Sequence, residues 1–219
     1  MTNNSLKIKV CGMREAKNLE QLCSIGPDYV GFIFYPKSKR FVGVHPDPAL
    51  FKIPPAGILK VGVFVNEQIY RVTQMVDEYQ LELVQLHGNE SPAYCRKLMG
   101  LGIQVIKAFS PGGGTTGSKT LQSGSGIEGY KEVVHTLLFD TQGPGWGGSG
   151  QKFDWSLLKD QSVPVPYILS GGIGPEDAEA IGKLKNENLL GIDLNSRFEL
   201  SPGLKDVGLL NDFFMEIRN

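Results

Sequence analysis

The sequence predicts an α/β fold, a single-domain (β/α)8 barrel of the TIM type, in which eight parallel strands alternate with helices. Three observations in its 219 residues support this prediction. Eight short β-rich runs recur along the chain, helical segments lie between them, and no change of composition marks a domain boundary. We therefore expect one barrel domain over residues 1–219. A doubly wound open sheet is the structural alternative, although it usually has fewer strands.

The predicted strands are short, and several are apolar almost throughout rather than alternating. That pattern is typical of strands buried on both faces of a parallel sheet. In chain order they are KIKV (7–10), YVGFIF (29–34), LKVGVFV (59–65), LELVQL (81–86), IQVIKAF (103–109), TLLFD (136–140), PYILS (166–170) and LLGIDLN (189–195). In a barrel their carboxyl ends would meet at one rim, where the chemistry of such folds is found.

Helical periodicity fills most of the intervals between these strands. The predicted helices cover residues 14–26, 66–80, 91–102, 154–160, 174–184 and 206–218. Ser91 is the predicted N-cap of the third, with Pro92 at its first helical position. Residues 110–126, which are rich in Gly, Ser and Thr, stand where a fifth helix is expected. This composition predicts a flexible replacement for that helix.

Composition and charge exclude several classes of protein. Twenty-two basic and 23 acidic residues give a net charge of −1, so no overall field attracts nucleic acid or an anionic membrane. No apolar run approaches the roughly 20 residues that span a bilayer, and the first residues lack the features of a signal peptide. Three widely spaced cysteines do not form a disulfide framework. We expect a cytoplasmic protein that binds neither nucleic acid nor membrane.

Reactive and charged residue types follow four of the predicted strands. They are Cys11, Arg40, His87 and Asp140, and together they indicate a site for an anionic, phosphorylated small molecule. From position alone, Cys11 fits packing as well as chemistry. His87 fits the lining of a pocket as well as a structural role.

Two small-residue turns follow strands 7 and 8, where barrels often hold phosphate. Gly171 and Gly172 would let backbone N–H groups approach an anion at the start of a helix, although a tight turn alone also needs glycine. Asn195 and Ser196 would add donors from the next loop. Arg197 would either contact phosphate or face solvent, and we expect the latter.

Two glycine-rich segments resemble nucleotide-binding motifs but lack their context. GPGWGG (143–148) matches G-x-G-x-x-G, yet no acidic residue ends the next strand. GGGTTGSK (112–119) has Ser-Lys where a P-loop requires Lys followed by Ser or Thr. The three histidines show no metal-ligand spacing. We therefore predict neither a dinucleotide site nor a P-loop, and no metal site.

Several segments, in this order, resemble the phosphoribosylanthranilate isomerase family. They are KVCGM, GFIFYPKSKRFV, VGVFVN, VQLHGNE, LLFDT with GGSGQKFDW, ILSGGI, and IDLNSRFELSPGLKD. The resemblance covers nearly the whole chain. It implies a barrel of the ribulose-phosphate-binding type and the Amadori rearrangement of N-(5-phosphoribosyl)anthranilate to 1-(2-carboxyphenylamino)-1-deoxyribulose 5-phosphate in tryptophan biosynthesis. The resemblance also implies no metal and no organic cofactor.

The resemblance also implies roles for individual residues. Cys11 would be the general base, Asp140 the general acid, and Arg40 the partner of the anthranilate carboxylate. The implied substrate-binding set is His87, Gly171, Gly172, Asn195 and Ser196, with the Gly148–Ser149 turn. Removing the C2′ proton requires a thiolate, so we expect the surroundings of Cys11 to lower its thiol pKa from about 8.5.

One residue departs from the family pattern, and two alternative functions and one alternative oligomeric state are open. Arg197 stands where the family usually has a small residue. Related barrels with other chemistry are one alternative: indole-glycerol-phosphate synthases would present lysines and glutamates at strand ends, and aminoimidazole-carboxamide ribotide isomerases an aspartate at position 11. A non-catalytic phospho-ligand-binding barrel would lack one of the acid–base residues. We expect a monomer, with a homodimer as the alternative.

Overall fold

Eight parallel strands close into a barrel in chain order, with the last strand paired to the first. The computed structural model describes residues 6–110, 126–141, 155, 163, 165–184 and 186–218. The predicted barrel is confirmed. The doubly wound open sheet is excluded, since an open sheet would leave two strand edges unpaired.

Five of the six predicted helices lie among the described residues, and all five are present. The barrel strands are β1 (Lys7–Cys11), β2 (Tyr29–Ile33), β3 (Leu59–Phe64), β4 (Leu83–Leu86), β5 (Gln104–Phe109), β6 (Thr136–Phe139), β7 (Tyr167–Leu169) and β8 (Leu189–Leu194). The helices are α1 (Ala16–Ser24), α2 (Ile69–Tyr79), α3 (Pro92–Gly100), α4 (Ala178–Gly182) and α5 (Val207–Arg218), and a small antiparallel sheet pairs β9 (Glu199–Ser201) with β10 (Leu204–Lys205). Among the described residues, no helix is long and apolar enough to cross a membrane.

The N-terminus of α3 follows a local sequence signal. The Ser91 hydroxyl accepts a hydrogen bond from the Tyr94 N–H at 3.3 Å, and Pro92 opens α3, as predicted. The helix predicted over 174–184 is shorter than expected, because Pro175–Asp177 forms a 3-10 turn before α4. The helix predicted over 154–160, except Trp155, and all but the ends of segment 110–126 lie outside the described residues.

Alternate residues of each strand face two different cores. On β1, Ile8 and Val10 pack in the large core between the strands and helices. A second cluster fills the barrel interior and contains Val61, Leu83, Ile106, Ala108, Leu138 and Ile168. Because side chains alternate along a strand, Lys9 and Cys11 point to this interior side, where both are buried. The interior therefore has an apolar cluster over β3 to β7 and carries a charged residue at β1.

The N-cap of α3 yields a stability prediction. Replacing Ser91 by Ala removes the acceptor for an N–H of the first helical turn, so we expect the free energy of unfolding to fall by about 1 kcal/mol. Urea denaturation followed by circular dichroism measures this loss. Ser91→Asp keeps a capping oxygen and should stay close to the parent; an equal loss in both variants would contradict the capping role.

Candidate active site

A pocket opens at the carboxyl-terminal rim of the barrel. About 470 Å³ of the space between its walls holds no protein atom, and part of this space is open to solvent. Four predicted site residues line it: Cys11, His87, Asp140 and Asn195. Side chains from β1, β4, β6 and β8 thus converge on one space, as the rim argument predicts.

The Cys11 thiol is held at the rim by a turn that requires glycine. Gly12 has a φ of 86°, in the left-handed region, and its N–H and that of Met13 both donate to the Gly31 carbonyl, at 2.9 and 3.0 Å. A Cβ at Gly12 would lie 2.7 Å from Arg40 Cδ. The chain therefore leaves β1 abruptly, and the side chain of Arg40 packs beside the turn that follows Cys11.

Two opposing effects act on the Cys11 thiol. Burial raises its pKa above the usual range, and the positive charge of Lys9 acts in the opposite direction. Lys9 is fully buried, and its Nζ lies 2.9 Å from Asp193 Oδ1. The net direction is upward, so the expectation of a lowered thiol pKa is wrong for this structure: desolvation outweighs the neighbouring cation.

Asp140 lies across the rim from Cys11, directly after β6, and is 5% exposed. Its Oδ2 lies 3.2 Å from His87 Nε2, and the other ring nitrogen, Nδ1, lies 3.0 Å from Gln85 Nε2. When the Gln85 amide donates to Nδ1, the imidazole carries its proton on Nε2 and donates it to Asp140. His87 thus lines the pocket and contacts the predicted acid directly.

A buried ion pair supports the loop that carries His87. The Lys107 ammonium lies 3.2 Å from a Glu90 carboxylate oxygen and donates to the carbonyls of Leu86 and Gly88, at 3.2 and 2.7 Å. Glu90 accepts in turn from the backbone N–H of Gly88 at 2.9 Å. Because both charges are nearly inaccessible, these contacts fix the backbone on either side of His87.

Arg40 is oriented by Glu199, a residue that the sequence did not single out. Its Nε and Nη2 donate to the two carboxylate oxygens at 2.8 and 2.6 Å. Glu199 also accepts from Lys205 Nζ at 2.7 Å, and the same ammonium donates to Asn195 Oδ1 at 2.7 Å. Burial favours a raised pKa for Glu199, but the hydrogen bond from Arg40 and the charge of Lys205 hold that pKa below its usual value.

The two predicted phosphate loops lie at the ends of β7 and β8. Gly171 and Gly172 both have positive φ, 89° and 70°, and a Cβ at Gly171 would meet the Thr141 backbone nitrogen at 2.6 Å. The chain therefore needs glycine at Gly171 for space as well as for conformation. Asn195 lines the pocket, and Ser196 opens a 3-10 turn. The predicted Gly148 and Ser149 lie outside the described residues.

Arg197 faces the surface, as expected. Its side chain is 46% exposed, and its Nη2 lies 2.9 Å from Glu176 Oε1. Within the described ranges, no group of three or more His, Cys, Asp or Glu side chains is arranged to hold a metal ion.

Comparison with known proteins finds one family whose members match nearly the whole barrel. Residues 8–216 match the family model described as "N-(5'phosphoribosyl)anthranilate (PRA) isomerase". A relative from Parabacteroides distasonis, N-(5'-phosphoribosyl)anthranilate isomerase, is 43% identical over 96% of this chain and 92% of its own length. The chain belongs to the PRA isomerase family. As an isomerase of tryptophan biosynthesis, it converts N-(5'-phosphoribosyl)anthranilate to 1-(2-carboxyphenylamino)-1-deoxyribulose 5-phosphate.

Solved structures agree with this assignment. Phosphoribosyl anthranilate isomerase from Thermotoga maritima superimposes with a TM-score of 0.79 at 33% identity, covering 97% of this chain and 98% of that chain. A PRA isomerase solved in complex with reduced 1-(o-carboxyphenylamino)-1-deoxyribulose 5-phosphate gives a TM-score of 0.72 at 30% identity, with the same coverage. Monomers made from the dimeric T. maritima enzyme give 0.74 at 30% identity, again with that coverage, so relatives of this PRA isomerase can be dimeric.

The Arg40–Glu199–Lys205 cluster predicts a specific response to acid. Because the folded pKa of Glu199 is lowered, its contribution to stability is full above the unfolded pKa of about 4.3 and is lost as pH falls through the folded pKa. We expect Glu199→Gln to lower the free energy of unfolding near neutral pH by roughly 2 kcal/mol or more. We also expect a flatter decline of stability on acidification, measured by urea denaturation at several pH values.

Glu179→Gln is the matched control for this variant. Glu179 is exposed on α4 and pairs with Lys183 at the surface, so its neutralisation should leave the pH dependence unchanged. Equal pH profiles for the parent and Glu199→Gln would contradict the proposed ionisation of Glu199 in the folded state.

Proposed function

We propose that Cys11 is the general base and Asp140 the general acid of this isomerisation, and that one barrel domain carries both. The observation that carries this assignment is their convergence on one pocket from β1 and β6, where both side chains are nearly buried. Both groups can therefore reach a single bound sugar from different sides. Proton transfer by groups positioned in this way is an effective source of rate enhancement.

The reaction needs one proton delivered and one removed. Protonated Asp140 gives its proton to the ring oxygen of the ribose as the C1′–O bond breaks, and the anthranilate nitrogen becomes an iminium. The Cys11 thiolate then takes the proton from C2′, and the electrons of that C–H bond form a C1′=C2′ double bond that neutralises the iminium. The resulting enol takes up a proton at C1′ and releases its hydroxyl proton to become the ketone.

His87 supports the acid in this scheme. The Asp140 carboxylate formed by proton transfer accepts the hydrogen bond from His87 Nε2, which stabilises the charge that develops. The Gln85 amide on the other side of the imidazole keeps the ring in the tautomer that donates. His87 thus belongs to the site as the sequence predicts, with Asp140 as its contact.

Arg40 is the proposed partner of the anthranilate carboxylate. In the described part of the chain, Glu199 bonds to Nε and Nη2 of Arg40, so the Nη1 edge of the planar fork is the one presented to a second carboxylate. Ile33, Val63 and Tyr35 line the pocket and offer apolar surface to the aromatic ring.

The phosphate is assigned to the turns after β7 and β8. Gly171, Gly172, Asn195 and Ser196 would hold it, with the Gly148–Ser149 turn as a further contributor. The support is the glycine-dependent backbone after β7 and the phosphorylated analogue bound to a relative. An anionic phosphate at the barrel rim also matches the general position of such sites in this fold.

Substitution of the two acid–base residues tests the mechanism. We expect Cys11→Ser and Asp140→Asn each to lower kcat by roughly 100- to 10,000-fold with KM changed only a few-fold, because proton transfer rather than affinity is lost. The decay of substrate fluorescence measures both constants. Cys23→Ser, on α1 and half-buried, is the matched control and should keep the parent rate. Near-parent turnover of Cys11→Ser would overturn the assignment of the base.

We also infer a monomeric, cytoplasmic enzyme. The large exposed apolar side chains come from separate parts of the chain: Val44, Tyr70, Met99, Leu101, Leu200 and Met215. The cysteines are free, which suits a reducing compartment. We expect sedimentation velocity to give the mass of one chain at micromolar concentration. A dimer mass would instead match the assembly of the T. maritima relative.

A further inference from the structure

We propose that Lys9 is a positioning residue of this reaction: its buried ammonium, held by Asp193, supplies the positive charge against which the Cys11 thiolate forms. The proposal rests on the assignment of Cys11 as the base. It answers a question that the sequence leaves open, namely how a thiol nearly sealed from water becomes an effective base.

The barrel brings the side chains of Lys9, Cys11 and Asp193 together from two neighbouring strands. Lys9 and Cys11 are successive inward residues of β1, about 7 Å apart along the strand, a distance that a lysine side chain can cover. Lys9 is paired in register with Asp193 on β8, and the two side chains meet at 2.9 Å. Asp193 also lines the pocket beside Cys11. Lys9, which carries the ammonium of this pair, is therefore the next inward residue below Cys11 on β1.

Packing alone gives no reason for an ion pair at this depth. Inward positions of β3, β4 and β5 hold Val61, Leu83 and Ile106, and replacing a buried ion pair by aliphatic residues is often neutral or stabilising. Lys9 has no exposed surface, and the side chain of Asp193 is only 5% exposed. A costly pair beside the proposed base is expected when the charge serves that base.

Asp193 keeps the lysine charged. Burial by itself would lower the pKa of Lys9 and strip its proton, but the charge of Asp193 and its hydrogen bond reverse that direction and hold the pKa above its usual value. A neutral lysine would give no help to a thiolate. Asp193 and Lys9 are thus one unit: the carboxylate maintains the cation, and the cation lowers the cost of the thiolate.

The other charges around Cys11 do not replace this unit. Lys205 also lowers the thiol pKa, by a smaller effect than Lys9, and its ammonium is bonded to Glu199 and Asn195. Arg40, beside the turn after β1, is paired with Glu199. Asp193 raises the thiol pKa, and Asp140 faces the pocket from β6. Lys9 is the strongest of the cations that oppose the desolvation of Cys11.

Thiolate titration is the direct test. The far-ultraviolet thiolate absorbance of each variant, minus that of the same variant carrying Cys11→Ser, reports Cys11 alone. We expect Lys9→Met to move the midpoint up by at least about one pH unit, a tenfold loss of thiolate at a given pH. We expect kcat at neutral pH to fall at least tenfold and to recover as pH rises, with KM within about twofold. Lys9→Arg should rescue both properties to within a few-fold of the parent.

Asp193→Asn tests the contribution of the carboxylate. Without the anion, burial lowers the pKa of Lys9 and its ammonium loses its proton, so we expect the thiolate midpoint to rise as it does in Lys9→Met. Asp193→Asn combined with Lys9→Arg keeps a cation without the carboxylate, because a guanidinium stays protonated, and its midpoint should return to that of the parent or fall below it. A purely structural role of the pair would not separate these two variants.

A double variant keeps the proposal testable if the single variant does not fold. If Lys9→Met alone does not fold because Asp193 is left uncompensated, Lys9→Met with Asp193→Leu removes the charges together. Its midpoint should lie above that of Asp193→Asn with Lys9→Arg, which keeps a cation. An unchanged midpoint in Lys9→Met, or equal midpoints in these two double variants, would overturn the proposal. That result would leave the base itself intact, whereas full activity of Cys11→Ser would remove the proposed function.

Discussion

The pairing of β8 with β1 is the constraint on which the site depends. It closes the barrel and aligns four residues of β1 with four of β8, among them Lys9 with Asp193. These two residues are 184 positions apart in sequence, yet the register brings their charges to 2.9 Å. An open sheet would expose both to water, where an ion pair of this kind contributes little. Closure therefore creates the low-dielectric interior in which one charge can influence a thiol strongly.

A second long-range network joins the two ends of the proposed substrate. Glu199 and Lys205 meet because β9 and β10 pair antiparallel in that register. From this pair, one set of bonds leads to Arg40 at the carboxylate end, and another leads to Asn195 in the phosphate loop. Asn18 of α1 fixes the backbone of Lys205 through both its N–H and its carbonyl. The small sheet of β9 and β10 therefore connects the two proposed binding loops and holds them in place.

The sequence predicts the fold well because its strong signals are local. Each of the eight strands begins and ends within about two residues of its predicted bounds, since continuous apolar runs mark strands buried on both faces. Cys11 and Asp140 are also predictable, since they end such runs. Lys9, Asp193 and Glu199 were missed because their roles depend on partners more than 150 residues away. The only local signal is a charged residue inside a strand that is otherwise buried, at Lys9 and at Asp193.

The same arrangement recurs on the two sides of the pocket. Lys9 precedes Cys11 by two residues on β1, and Gln85 precedes His87 by two residues at the end of β4. In each case the residue one layer deeper sets the protonation of the residue at the rim: a cation favours the thiolate, and an amide selects the imidazole tautomer that faces Asp140. The two-residue period of a strand makes this possible, because it places both side chains on the inner face. One deeper residue can thus act on the proposed base and another on the histidine beside the proposed acid, each from its own strand, while both rim residues face the same pocket.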